Sequence, residues 1–390
     1  MIITGNCIDV MPDLEAESYH TCVTSPPYWG LRDYGLAQSY WPETTYTPMP
    51  GLPQITVPEW TGCLGLEPTP EMFVAHTVLV FREVWRVLRQ DGTLWMNFGD
   101  SYASSGIKRD EGLNERWHGK QYLSNKQGDS DRNRPARQLP ADLKPKDLIG
   151  IPWRVAFALQ ADGWYLRMDN IWAKPNPMPE SVGDRPTKAH EYMFLLSKSE
   201  RYYYDKEVIK EPGVQDEWAN GFSGGSYTGN ETFDNQDGGK RKNKGNFRVP
   251  SGWDTEPGSH GAIHRTGRNK KNSFARAVNE SPPPGQPQQH RPDREDVEYS
   301  GMRNKRSVWT VATQAFPEAH YATFPEKLIE PCILAGAPVG GRVLDPFGGS
   351  GTTLKVAHEN NRECTIIEMG PHNVEIAERR TAVVQPTLIF

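Results

Sequence analysis

Cysteine, long apolar runs and excess positive charge are all scarce in this 390-residue chain. Its five cysteines (Cys7, Cys22, Cys63, Cys332 and Cys364) are scattered, with no Cys-x-x-Cys pair and no Cys/His cluster. That excludes a disulfide framework and a structural zinc site, and no metal is expected. No apolar stretch approaches the roughly 20 residues of a membrane-crossing helix. The start, Met1-Ile2-Ile3-Thr4-Gly5, lacks the pattern of a secretory leader, so a cytoplasmic protein is expected. A net charge of −5 argues against a surface that binds polyanions indiscriminately, while leaving room for a local basic patch. Gly-Lys-Ser/Thr is missing too, which excludes a Walker-type phosphate loop.

What is present is most specific at residues 24–29, Thr-Ser-Pro-Pro-Tyr-Trp. They follow a short apolar strand candidate, Thr21-Cys22-Val23. Two prolines fix φ and supply no N–H, so they end a central strand and turn its carbonyls away from the ladder. Ser25 adds a hydroxyl acceptor, and Tyr28 and Trp29 add flat π-faces. Such a set suits holding the amino group of a planar heterocycle. A Pro-Pro turn with two packing aromatics is the plainer reading, and the motif alone does not choose.

The ends of the chain read as α/β and the middle does not. Residues 36–68 read as a long irregular loop. An apolar stripe (Phe73, Thr77, Phe81, Val84, Trp85, Leu88) predicts a helix from Pro70 to about Gln90, stopped by Asp91-Gly92. A buried strand is expected at Thr93–Phe98. Residues 101–146 read as a polar loop or lid. Pro152 opens a helix to about Ala161. Strands follow at Trp164–Ala173 and Glu191–Ser197, the latter pairing with Tyr202–Tyr204. In the third quarter, 240–276 carries ten basic residues against two acidic ones, with Phe247, Trp253 and Phe274 interleaved. That balance favours a nucleic-acid surface over an ordinary solvated face.

Order resumes at Ser307-Val308-Trp309. Thr323-Phe324-Pro325-Glu326 reads as a capping box with proline in the first turn, opening a helix to about Ala335. Strand Gly341–Asp345 then empties into Pro346-Phe-Gly-Gly-Ser-Gly351. A helix to about Asn360, a strand at Cys364–Ile367 and Glu368 follow, and a last helix covers about His372 to Arg380. Strand, Gly-rich turn, helix, strand and acid have the general form of a nucleotide-binding βαβ unit. The glycines admit a ligand to the backbone, and Glu368, seventeen residues after Gly351, can accept from ribose hydroxyls. A tight turn in an ordinary sheet is the competing account.

Asp345-Pro-Phe-Gly-Gly-Ser-Gly351 resembles the S-adenosylmethionine motif of amino DNA methyltransferases, and Thr24–Trp29 resembles their catalytic motif. Catalytic motif first and cofactor motif last resembles the β-group of these enzymes, in which the intervening module reads DNA. The whole pattern looks like solitary phage and prophage methylases. Arg86–Trp95, Trp172–Pro177, Arg185–Tyr192 and His320–Lys327 resemble further family segments, so the likeness spans about two-thirds of the chain. One departure is Gly5-Asn6, where the family usually carries Gly-Asp.

The resemblance implies an α/β, Rossmann-like, mostly parallel doubly wound sheet in permuted order. Its expected divisions are a catalytic half at 1–205, a target-recognition insertion at 206–306 and a cofactor half at 307–390. It implies catalysis by Ser25, Pro26, Pro27 and Tyr28, with Trp29, Trp172, Lys174 and Asn176 at the target-base pocket. S-adenosylmethionine would meet Asn6, Cys7, Thr323, Phe324, Asp345, Phe347, Gly349, Ser350, Gly351, Thr352 and Glu368. Lys240, Arg241, Lys242, Lys244, Arg248, Arg265, Arg268, Lys270 and Lys271 would bind double-stranded DNA. A homodimer on palindromic targets is the implied assembly. The expected reaction is methylation of an exocyclic amine, adenine N6 ahead of cytosine N4. An RNA or protein methyltransferase and a non-catalytic DNA-binding protein on the same fold are the rival readings.

Overall fold

The computed structural model describes residues 1–30, 35–103, 143–212, 302–314 and 324–382. The expected lid over most of 101–146, the basic run with its nine DNA-binding candidates, and Thr323 lie outside them. Two compact units emerge, Met1–Lys210 with Asn304–Phe390, and Glu211–Arg303. Within the second, the described residues are an antiparallel pair, β10 (Glu211–Pro212) with β11 (Met302–Arg303), closed by an Arg303–Glu211 ion pair.

The first unit is built on an eight-stranded sheet. In chain order its strands are β1 (Ile2–Thr4), β2 (Tyr19–Thr24), β7 (Leu88–Phe98), β8 (Tyr165–Ala173), β9 (His190–Ser197), β12 (Val308–Thr310), β13 (Arg342–Asp345) and β14 (Glu363–Glu368). Across the sheet they run β1-β14-β13-β2-β7-β9-β8-β12, all pointing one way except β9. Successive residues of a strand face opposite sides of a sheet. Here Cys22, Leu94, Leu344 and Ile367 enter one hydrophobic cluster, and Val23, Trp95, Val343 and Ile366 the other. Helices α1 (Cys7–Val10), α2 (Pro70–Val87) and α3 (Ile151–Ala161) supply the first cluster. Helices α4 (Glu326–Gly336), α5 (Thr352–Glu359) and α6 (Pro371–Ala382) supply the second. A mostly parallel sheet covered on both faces is the Rossmann-like architecture expected. From β13 the chain winds outward through β14, and from β2 it winds the other way through β7. The crevice between the ends of β13 and β2 is therefore a topological switch point, where such folds bind ligands.

Several local expectations need correction. Residues 36–68 hold two small antiparallel pairs, β3 (Ser39–Trp41) with β6 (Trp60–Gly62) and β4 (Thr44–Tyr46) with β5 (Ile55–Val57). Their buried Trp41, Tyr46 and Val57 pack onto α2's side of the sheet. Helix α2 ends at Val87, not Gln90, because the buried Leu88 turns extended (ψ 141°) and pairs with Tyr19. Strand β9 pairs with β7 and β8 and not with Tyr202–Tyr204, where Tyr203 N–H instead donates to Asp91 C=O. Pro325 stands at the N-cap of α4 and not inside its first turn, and no side chain caps that helix.

Candidate active site

Shared strand direction brings the C-terminal ends of β1, β2, β7, β8, β12, β13 and β14 to one edge, together with the start of β9. A cavity of about 410 Å³ opens there. Its wall takes Gly5–Cys7 after β1, Ser25–Tyr28 after β2, Asn97 of β7, and Trp172 and Lys174 around the end of β8. Glu191 of β9, Pro346–Ser350 after β13 and Ile367–Met369 at the end of β14 also line it, with Leu36, Phe324, Thr352 and Asn373. Two sequence motifs more than 300 residues apart thus face one space.

They are also bonded. Thr24 Oγ1, the last group of β2, donates to Asp345 Oδ1, the last of β13, at 2.6 Å. Thr353 Oγ1 donates to Asp345 Oδ2 at 2.6 Å, and Phe347 N–H to Oδ1 at 3.0 Å. Burial pushes the Asp345 carboxyl up to about 6 despite these three donors, and the nearby Glu368 charge adds to the rise. Asp345 lies off the cavity wall. It braces the two loops from behind, so the expectation that it lies among the contact residues is corrected to a place off the wall.

Beside the Gly-rich turn, Glu368 is nearly buried. Its Oε2 accepts from Gly349 N–H at 2.8 Å, and its Oε1 from Gly370 N–H at 2.7 Å and Asn373 Nδ2 at 3.2 Å. Gly349 has φ +50° and Gly351 φ +78°. A Cβ on Gly351 would stand 2.7 Å from Ala377 Cβ, so Gly351 packs against α6 instead of lining the cavity. Asn6 caps α1 by accepting from Ile8 N–H and donates through Nδ2 to Ser39 Oγ at 2.8 Å. Cys7 is buried, and its thiol is pushed up to about 12 by desolvation.

On the other side, Ser25 Oγ lies 3.5 Å from Asn97 Oδ1. The Tyr28 hydroxyl lies 3.0 Å from Asn97 Oδ1 and 2.9 Å from Glu191 Oε2, two acceptors for one proton. Asn97 Nδ2 donates to Tyr192 C=O at 3.0 Å, which fixes Oδ1 toward Ser25 and Tyr28. Glu191 is paired with Lys174, whose ammonium sits 4.2 Å above the Trp172 ring. The Tyr28 ring stacks on Phe98 at 5.7 Å and closes on Gly99, where a Cβ would meet Cε2 at 2.7 Å. Trp29 and Asn176 do not reach the wall. Trp29 is buried and donates to Glu67 C=O, and Asn176 is exposed and braces Thr313.

Behind the Pro-Pro turn lies a buried Glu67–His76 pair at 3.0 Å, with His76 stacked between Trp41 and Trp60. Glu67 Oε2 accepts from Gly65 N–H, and Gly65 C=O accepts from Gly30 N–H at 2.8 Å. The network holds residues 65–67 against the backbone of the turn. Sequence reading missed Asn97 and Asn373, and reached Glu191 only as part of the segment Arg185–Tyr192. A polar Asn97 inside the apolar run Leu94–Phe98 was the one legible signal. Glu191 and Asn373 sit on surfaces whose neighbours are set by the fold.

The DNA methylase family profile matches residues 19–379. Type II methyltransferase M.Cfr9I of Citrobacter freundii is 35% identical over 97% of this chain and 86% of its own length. M.SmaI of Serratia marcescens, also a type II methyltransferase, is 35% identical over 97% and 89%. The solved PvuII DNA methyltransferase (cytosine-N4-specific) aligns with 97% of this chain and 85% of its own, at 16% identity and a TM-score of 0.48. A family match over nearly the whole chain agrees with the motif pair that the sheet brings together: this chain belongs to the DNA methylase family.

Proposed function

We propose that the protein transfers a methyl group from S-adenosylmethionine to the exocyclic amine of a base flipped out of duplex DNA. One observation carries the reading: the acceptor-rich end of β2 and the Gly-rich, carboxylate-lined ends of β13 and β14 open into a single cavity, tied by the Thr24–Asp345 bond. The residues suit the cofactor. Glu368 can accept from ribose hydroxyls, and Leu36, Phe347 and Ile367 offer apolar walls for an adenine ring. About 410 Å³ is within the ordinary range of small-ligand pockets. The bound cofactor would supply an electrophilic methyl group on a sulfonium.

The chain's own residues do the rest. The lone pair of a ring-attached amine is delocalised and weakly nucleophilic. Ser25 Oγ and the Pro26 carbonyl accept from its two N–H groups and stabilise the positive charge that develops on nitrogen, the mirror image of an oxyanion hole. The Tyr28 face stacks the extruded base, and Trp172 closes the far side. Holding the nitrogen in line with the methyl group supplies much of the rate. As the N–CH3 bond forms the S–CH3 bond would break, S-adenosylhomocysteine would leave and one amine proton would pass to solvent. No covalent enzyme intermediate is needed, and the buried Cys7 and Cys22, both with raised pKa, are unsuited to form one. Residues 206–306 form the sequence-reading module, in which Lys240, Arg241 and their basic neighbours neutralise phosphates with a steep salt dependence. Two copies on a palindromic target fit this reading.

Of the two amines we place cytosine N4 first. The likeness to solitary methylases favours adenine. The relatives that span this chain are instead type II enzymes, so that ground weakens. Ser25 supports this order, since a Ser-first motif is associated with cytosine N4 in the family. Labelled S-adenosylmethionine offered with duplex DNA, RNA and protein tests the reaction, and nucleoside analysis of the DNA tests the base. N4-methylcytosine is expected. N6-methyladenine would overturn the base assignment, and label confined to RNA or protein would overturn the function.

A further inference from the structure

Helix α6 presents three residues at i, i+4 and i+7 spacing, Asn373, Ala377 and Arg380, which lie on one helical face. Each contacts the loop between β13 and α5, or the Glu368 carboxylate that holds it. Asn373 lines it and donates to Glu368 Oε1 at 3.2 Å. Ala377 is the residue against which Gly351 closes. Arg380 Nη1 reaches Ser350 C=O at 2.9 Å, Ser350 Oγ at 2.7 Å and Thr352 Oγ1 at 3.0 Å. Its Nη2 donates to Glu326 Oε1 at 3.1 Å, and Lys355 donates to the same carboxylate oxygen at 2.7 Å. Ser350 and Thr352 are nearly buried cavity residues, whereas Arg380 is not on the wall.

The loop between β13 and α5 is therefore held from three sides. Asp345 grips Phe347 N–H from within, Glu368 grips Gly349 N–H from β14, and Arg380 grips Ser350 and Thr352 from α6. Loss of the third grip leaves the Ser350 carbonyl and two hydroxyls without the Nη1 donor that Nη2, anchored on Glu326, holds in place. A lysine supplies charge but no fixed fork.

We infer that Arg380 is a positioning residue for cofactor binding, acting through Ser350 and Thr352, and that α6 as a whole sets the shape of the cofactor loop. The inference rests on the proposed use of S-adenosylmethionine. Calorimetric titration of the full-length protein with S-adenosylhomocysteine separates the two. Arg380→Ala should raise the Kd about tenfold, the equivalent of one lost charge-assisted contact of roughly 1.4 kcal/mol. Turnover at saturating cofactor should stay within about twofold of the parent. Arg380→Lys should fall between the two proteins in affinity. Ser25→Ala, on the opposite loop, should leave the Kd unchanged. An Arg380→Ala protein that melts lower without ligand yet binds with the parent Kd would overturn the inference and leave a purely structural arginine. A parent protein that binds neither S-adenosylhomocysteine nor S-adenosylmethionine would overturn the cofactor reading itself.

Discussion

The loops after β2 and after β13 leave adjacent parallel strands at the same edge of the sheet, yet they are built by opposite means. The β2 loop gives up N–H groups: Pro26 and Pro27 cannot join a ladder, and Ser25–Tyr28 line the cavity instead. The β13 loop dispenses with Cβ atoms: Gly348, Gly349 and Gly351 let the backbone fold tightly against Ile366 and Ala377. The first is positioned through side chains, by Asn97 and Glu191 on Tyr28 and by the Glu67–His76 pair behind it. The second is positioned through its amides, by the carboxylates of Asp345 and Glu368. Donating a methyl group needs a bound cofactor of fixed shape, and receiving one needs acceptors around a nitrogen. The two construction rules suit the two tasks of the proposed reaction.

Mutations that break one rule should leave the other task standing. Ser25→Ala removes the acceptor on the amine, and single-turnover methylation should fall at least ~10²-fold, the scale of losing one preorganised polar group. Cofactor Kd should stay within twofold, and full activity would sink the catalytic assignment. Gly351→Ala breaks the other loop. Its φ of +78° and the 2.7 Å approach to Ala377 Cβ combine left-handed strain with overpacking. Together they should cost about 2–4 kcal/mol. The measurable result is a lower melting temperature and weakened cofactor binding at pH 7.

Asp345→Asn probes the tie between the loops and should have the smallest effect. The Asp345 carboxyl is raised to about 6, above its unfolded value. Ionisation therefore opposes folding: the contribution to stability is fully present below about pH 4 and is lost as pH rises toward 6. Asparagine keeps an acceptor for Thr24 and Phe347 N–H and removes the titration. Melting temperatures measured between pH 4 and 7 should show a shallower decline for the variant than for the parent. Identical pH slopes would refute a strained, buried carboxylate at this position.

Much of this was legible in the chain itself. Pro26-Pro27 ends a strand wherever it stands, and the glycines of 348–351 permit a tight turn in any context, because both effects reside in the backbone of single residues. The apolar stripe of α2 and the buried strand at Thr93–Phe98 were likewise local, though the boundary at Val87 was not. Leu88 left the helix because Tyr19 offered it a strand partner. The two pairs within 36–68 escaped for a similar reason, their short strands being fixed by burial of Trp41 and Tyr46 against α2's side of the sheet.

By itself the sequence determined which residues could carry chemistry: acceptors and aromatics at 24–29, a permissive turn at 345–351, an acid at 368. Tertiary structure decided which of them line the cavity. Asp345 proved to be a brace because the neighbouring strand buried it beneath Thr24 and Thr353. Asn97, Glu191, Asn373 and Arg380 gained their places because a parallel sheet and its last helix converge on one edge. Such convergence depends on strand order and helix facing, which bring residues together across hundreds of positions and leave no mark in the spacing of any one segment.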